Sequence, residues 1–315
     1  MPLSTNEQTN VTAGSLVAAI RAGATPHLGY RPNHTKGTLI TGNFTPTPEA
    51  TALTSAQHFQ SGTVTPVTLR FSAATGIPTI ADNIPESSPR GLAIRFHLGG
   101  RRHTDIVSHS IPFSPAKTGE DLLSFLQAAG TGPEAVGDYL ATHPETAAFI
   151  AAPKPVTESF VGLTFWAVNA FKFIAADGTE TFVRYRVLPT VGTRVLSEEE
   201  LGEKGPDFLF EELRERLDTG PVELKLVVQV AEGDDVTDDG TVYWPEDRKI
   251  VELGTFKLEA EVESQKNNAD QKYIIFDPIP RVSGIEPSND PLLEVRAAAY
   301  LISGRERRAA PDPWS

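Results

Sequence analysis

The chain has 315 residues, 39% of them hydrophobic and 22% charged, which is typical of a folded globular protein and excludes disordered and fibrous classes. The formal net charge of −13 disfavours nucleic acid and anionic lipid as partners, because an acidic surface repels both. Cysteine is absent, which excludes disulfides, thiolate catalysis, iron–sulfur clusters and thiolate metal sites.

The first ten residues are polar, and no apolar stretch reaches about 18 residues. We therefore expect no secretory signal, no membrane span and a cytoplasmic location. Residues 12–22 carry the apolar stripe Leu16, Val17 and Ile20, which predicts a short helix that Gly23 ends. A loop at 27–34, a strand at 38–44 and a short helix around 52–59 follow.

Alternating β-branched segments predict strands at 64–72, 91–97 and 104–108, the last two joined by a turn at Gly99-Gly100. Helices are expected at 120–129 and 133–142, strands at 165–174, 180–187, 222–230 and 255–263, and a final helix at 291–303 that Gly304 ends. This pattern predicts an α+β protein in which residues 1–315 form a single domain, built on a closed or nearly closed antiparallel barrel.

A loop at 31–37 reads Arg-Pro-Asn-His-Thr-Lys-Gly and contains His34. A histidine in such a loop is either a structural or surface residue or a general base, because its ordinary pKa lies near neutrality. The residues alone leave both interpretations open.

Arg70 and Ser72 alternate with Phe71 at the end of a predicted strand, so both should lie on one face. We expect Arg70 to face the barrel interior, where a guanidinium needs an anionic partner. That partner is either a protein carboxylate or a bound anion such as a propionate.

Arg296 and Tyr300 are four residues apart in the last predicted helix and should share a face. Residues 297–299 are alanines, which leave room for something flat and large. The guanidinium would stabilise a phenolate, a hard ligand suited to ferric iron; the alternative is a surface cation–aromatic pair.

Five segments together, and in this order, resemble the catalase superfamily: 31–37, 70–72, 168–173, 276–278 and 284–300. The likeness runs from about residue 27 to 308. It implies a catalase-like antiparallel β-barrel with inserted and C-terminal helices, and haem b held between the barrel and the late helix.

The resemblance also implies a role for each matching residue. Tyr300 would be the iron ligand, and Arg296 would keep it ionised. His34 would move a proton between the oxygens of peroxide, with Ser72 orienting its ring. Three arginines would bind the haem propionates: Arg31, Arg70 and Arg307.

Two departures from the family pattern concern the distal side of the haem. His109 stands where catalases carry an asparagine, and it could donate a hydrogen bond in its place. Asn33 replaces a small apolar residue and should make the pocket more polar. The chain also continues for only fifteen residues past Tyr300, which should expose the pocket.

These departures favour a small catalase-related peroxidase, which reduces hydrogen peroxide or organic hydroperoxides with a small organic electron donor. A true catalase, a hydroperoxide-rearranging enzyme of the allene oxide synthase kind, and a haem carrier without turnover are the alternatives. Oxygen evolution, product analysis and the absence of any turnover would distinguish them. By analogy with minimal members of the superfamily, we expect a homodimer.

Overall fold

A closed antiparallel barrel organises the part of the chain that the computed structural model describes, residues 2–24 and 27–314. Its strands are β1 Gly37–Pro46, β2 Thr65–Ser72, β3 Gly91–His97, β4 His103–His109, β5 Phe165–Trp166, β6 Phe171–Ile174, β7 Glu180–Pro189, β8 Val222–Val230, β9 Ile250–Glu261 and β10 Ile285–Pro287. Within the described residues, eight strands pair in the order β7-β5-β4-β3-β2-β1-β9-β8, and β8 pairs with β7 to close the barrel. Two short strands, β6 and β10, extend the sheet beyond β7.

Aromatic side chains fill the barrel interior. The ring of Phe44 lies 5.2 Å from that of Phe96 and 4.8 Å from that of Phe256, and all three are fully buried. Burial of such large apolar side chains is a main source of folding free energy. Because the interior is packed, a large ligand can only lie outside the barrel wall.

The outer face of β2, β3 and β4 carries the polar residues that the sequence singles out. Ser72 pairs with Gly91, and Gly91 pairs with His109, so these three positions form one row across the sheet. Arg70 lies in the next row on the same face, whereas Phe71 points into the core. The expectation that Arg70 faces the barrel interior is therefore wrong; the alternation was predicted correctly but its direction was reversed.

The helices in the described residues are α1 Glu7–Ala22, α2 Pro48–Leu53, α3 Gly119–Thr131, α4 Pro133–Thr142, α5 Pro144–Ala151, α6 Glu198–Gly202, α7 Phe208–Thr219, α8 Ser264–Tyr273 and α9 Pro291–Ala309. Of these, α1 and α9 lie over this outer face, whereas α2 and α7 pack against β9. Leu16 of α1 packs with Val295 and Ala298 of α9 in a second apolar cluster, with Leu122 of α3 at its edge. None of the helices in the described ranges is long and apolar enough to cross a membrane.

Several predicted boundaries differ from the structure for local reasons. The first helix begins at Glu7 because the side chain of Asn6 accepts hydrogen bonds from Gln8 and Thr9. The second helix begins at Pro48, earlier than predicted. The strand expected at 165–174 is divided into β5 and β6.

Gly304 does not end the last helix, which continues to Ala309. A Cβ atom at Gly304 would meet the side chain of Ile275, so glycine allows close packing of the helix against the segment after α8. Helices α5 to α8 were not predicted from the sequence. In α8 the reason is clear, because its polar sequence carries no apolar stripe.

Candidate active site

A cavity of about 320 Å³ lies between the outer face of the barrel and helices α1 and α9. Apolar side chains such as Val17, Val107 and Val295 form much of its wall. All eight residues that the sequence analysis assigned to the site line this one cavity, namely Arg31, His34, Arg70, Ser72, His109, Arg296, Tyr300 and Arg307. They come from a loop, two strands and one helix, and the fold brings them together.

His34 is held on the barrel side by its backbone and by one strand residue. Its backbone φ is +53°, a conformation that non-glycine residues rarely adopt. Ser72 Oγ lies 3.2 Å from His34 Nδ1 and also donates to the Gly91 carbonyl at 3.4 Å. With its proton directed to Gly91, the Ser72 hydroxyl accepts from Nδ1–H, which leaves Nε2 of His34 free as a base.

Glycine at position 91 makes this contact possible. A Cβ atom there would lie 2.7 Å from Ser72 Oγ and 2.8 Å from His34 Nδ1. Burial, together with the positive charges of Arg70 and Arg31, lowers the pKa of His34 to about 4. The imidazole is therefore neutral near pH 7, the state in which it can accept a proton.

His109 lines the same cavity, at the end of β4. The backbone N–H of Ile111 donates to His109 Nδ1 at 3.3 Å, so the neutral ring carries its proton on Nε2. Burial lowers the pKa of His109 to about 3, with smaller contributions from Arg296 and His34. The two histidines therefore differ in hydrogen bonding: one presents an acceptor and the other a donor.

Asn33 also lines the cavity, in agreement with its expected place beside His34. It is exposed, and its side-chain oxygen accepts from the backbone N–H of His34 at 2.9 Å and of Thr75 at 2.8 Å. Its carbonyl group therefore stabilises the loop around His34.

On the helix side, a guanidinium contacts a phenol. Arg296 donates to Tyr300 Oη from Nε at 3.3 Å and from Nη2 at 3.2 Å. Its Nη1 donates to the side-chain oxygen of Asn169, whose amide nitrogen donates to Asp290 at 2.7 Å. Asp290 also caps α9 by accepting from the N–H of Leu292.

Asn169 and Asp290 lie in two of the segments that resemble the catalase superfamily, but no role was predicted for either residue. Asp290 before the last helix had the pattern of an N-cap, which could have identified it. Nothing in the local sequence indicates that Asn169 reaches Arg296.

Three arginines line one edge of the cavity: Arg70 and Arg307 are buried, and Arg31 is half-buried. None of them forms an ion pair with a carboxylate in the described parts of the chain. Burial lowers the pKa of Arg31 well below its usual range, and that of Arg70 to about 9 and of Arg307 to about 10. The charges of Arg70 and Arg307 add to the effect on Arg31. Clustered cations without counter-ions are the arrangement expected where an anionic ligand binds.

This barrel, with a cavity between its outer face and a late helix, belongs to the catalase family: the family model described as Catalase matches residues 27–311. The chain is 34% identical over 314 residues to a protein named Catalase-related peroxidase from Mycolicibacterium paratuberculosis, covering 96% of this chain and 98% of that protein. A Catalase-related peroxidase from Synechococcus elongatus is 34% identical over 309 residues, 95% of this chain and 89% of the relative. Catalase-2 of Bacillus subtilis is 27% identical over 313 residues, but they cover only 44% of that longer protein.

Proposed function

We propose that this protein is a haem peroxidase that reduces hydrogen peroxide or organic hydroperoxides with a small organic electron donor. One observation carries the proposal: a single cavity holds a phenol contacted by a guanidinium, a neutral imidazole with a free nitrogen, and three arginines that have no carboxylate partner among the described residues. The names of the two nearly full-length relatives, both catalase-related peroxidases, support the same reaction class.

The lining of the cavity fits haem b. Its apolar wall suits the porphyrin ring, and the arginine cluster suits the two propionates, since guanidinium and carboxylate pair in a bidentate way. Tyr300 would be the iron ligand, and a tyrosine ligand is the one that general haem chemistry associates with catalase. Bound haem would supply the iron at which the peroxide O–O bond is cleaved.

The side chains around that position would handle the proton. Nε2 of His34 would accept the proton of the peroxide oxygen that binds and return it to the oxygen that leaves. Ser72 would hold the ring by its contact with Nδ1, and Nε2–H of His109 would donate a hydrogen bond to the peroxide. On helix α9, Arg296 would stabilise the phenolate of Tyr300 by donating hydrogen bonds to its oxygen.

Reconstitution with haem tests the proposal. The protein should show an absorption spectrum of ferric haem with a tyrosinate ligand, and it should oxidise an organic donor when peroxide is added. Tyr300→Phe should lose both properties while retaining its circular dichroism spectrum. Oxygen release that outpaces donor oxidation would instead indicate a true catalase, and full activity of Tyr300→Phe would refute the ligand assignment.

The homodimer and the single folding unit over residues 1–315 remain proposals as well. Sedimentation equilibrium of the haem-loaded protein should give twice the 34.0 kDa chain mass. Calorimetry should give one cooperative unfolding transition.

A further inference from the structure

The three arginines at the cavity edge converge on the end of one helix. Arg31 donates from Nη1 to the carbonyl of Gln271 and from Nη2 to that of Ile274, both at 3.0 Å. Arg307 donates from Nε to the carbonyl of Lys272 and from Nη2 to that of Ile274, both at 2.8 Å. The final turn of α8 and the residue after it therefore accept four hydrogen bonds from two arginines that lie far apart in sequence.

The third arginine contacts the same turn through a side chain. Arg70 Nε donates to Gln271 Oε1 at 2.9 Å, and its Nη2 donates to the carbonyl of Thr35 at 3.1 Å. Arg70 and Gln271 are both buried, so solvent does not weaken this contact.

A chain of buried amides fixes the orientation of Gln271. Its Nε2 donates to Asn267 Oδ1 at 2.8 Å, and Asn267 Nδ2 donates to Thr38 Oγ1 at 2.7 Å. Thr38 in turn donates to a carboxylate oxygen of Glu261 on β9. Each donor meets an acceptor along this chain, so a flipped Gln271 would place its amide nitrogen against the guanidinium.

These contacts leave one nitrogen of each of two arginines without a protein acceptor. In the described residues, neither Nη1 of Arg70 nor Nη1 of Arg307 forms a hydrogen bond, and both arginines line the cavity. The carbonyl groups at a helix C-terminus also carry partial negative charge, which stabilises nearby cations. The helix end thus holds three positive charges together and leaves donors available for a ligand.

We propose that residues 271–274 are the positioning element for the anion-binding arginines of this cavity, with Gln271 as its key positioning residue. The inference rests on the proposed function, because it takes the carboxylates of haem as the ligand. It assigns the positioning role to a segment that contributes no iron ligand and no proton-transfer group.

The test compares haem with its dimethyl ester, which has the same ring but no carboxylate charge. Apoprotein would be titrated with each compound in the ferric state, and the dissociation constants read from the absorption spectrum. Gln271→Glu places a carboxylate against Arg70 and neutralises it, so haem should bind at least about tenfold more weakly while the ester is unaffected. Gln265→Glu, the same substitution at an exposed position of α8, should bind both compounds as the unmodified protein does.

The other outcomes separate the two proposals. If the unmodified apoprotein binds neither compound, the proposed function fails. If it binds both and Gln271→Glu binds haem equally well, or weakens haem and ester by the same factor, the positioning role is wrong although the function stands. Should Gln271→Glu not fold, Gln271→Met keeps the side-chain length without polar atoms, and it should also weaken haem selectively, by severalfold.

Discussion

Arg296 directs two nitrogens at one oxygen: Nε and Nη2 lie 3.3 and 3.2 Å from the phenolic oxygen of Tyr300. Charge-assisted hydrogen bonds of this kind are stronger than neutral ones and hold the phenolic oxygen in place. We predict that Arg296→Leu lowers peroxidase activity about 10- to 100-fold and alters the tyrosinate spectrum, as expected for loss of a group that supports a metal ligand. Stopped-flow spectroscopy would measure both.

The control for this change is Arg305→Leu, an exposed arginine of the same helix. It should leave the spectrum and the activity unchanged. An Arg296→Leu protein with an unaltered spectrum would show that the guanidinium does not support the ligand.

Asn169 connects Arg296 to Asp290 through its two amide atoms. We predict that Asn169→Ala lowers activity less than Arg296→Leu does, because the guanidinium remains but is free to rotate. In a double-mutant cycle, the effects of the two substitutions on activity should be clearly less than additive, since both act on the same contact with Tyr300. Additive effects would contradict this connection.

Gly91 provides the space that His34 and Ser72 occupy. We predict that Gly91→Ala slows the reaction with peroxide at least about tenfold, because the methyl group displaces the imidazole by several tenths of an ångström. Haem affinity should change little. Gly137→Ala, at a glycine with open space around it, provides the matched control, and equal rates in the two variants would argue against a positioned His34.

The low pKa of His34 predicts the acid limit of the reaction. Its neutral form persists down to about pH 4, whereas an unperturbed histidine would lose it near pH 6.5. The pH profile of kcat/KM for peroxide should therefore fall on the acid side near pH 4 to 5. The His34→Gln variant should react slowly with peroxide, and its kcat/KM should no longer decrease near pH 4 to 5. A decrease near pH 6.5 in the unmodified protein would contradict the assignment of His34 as the base.

His58 predicts an acid-sensitive fold, independently of the cavity. Its ring is buried against Phe59 and Phe96, Nδ1 has no hydrogen-bond partner among the described residues, and burial lowers its pKa to about 3. Between about pH 6.5 and 3, His58 is protonated in the unfolded chain but stays neutral in the folded chain. The free energy of unfolding is therefore highest above this range and decreases as the pH falls through it. The slope from this group is about 1.4 kcal/mol per pH unit.

Chemical denaturation at several pH values would measure this slope. His58→Leu should flatten it, whereas His103→Leu, at a partly exposed histidine outside the core, should not. An unchanged slope in His58→Leu would assign the acid sensitivity to other groups.

The sequence by itself determined much of the local structure and the chemistry of the site. Alternation placed Arg70 and Ser72 opposite Phe71, and helical spacing placed Arg296 and Tyr300 together, because the side-chain periods of strands and helices are properties of the local backbone. Family resemblance then identified eight site residues, and all eight line the cavity although they come from distant segments.

Only the tertiary structure decided which face of the barrel carries the site and what holds its arginines. An alternating pattern shows which residues share a face of a strand but not which face points into the barrel. The side chain of Arg70 points outward because the aromatic residues, including Phe71, pack inside the barrel. The helix that anchors the arginines is polar and was not predicted, because its stability comes from buried hydrogen bonds to side chains more than 200 residues away. Hydrogen bonds between residues so far apart in the chain leave no recognisable pattern in the local sequence, since they form only when the chain has folded.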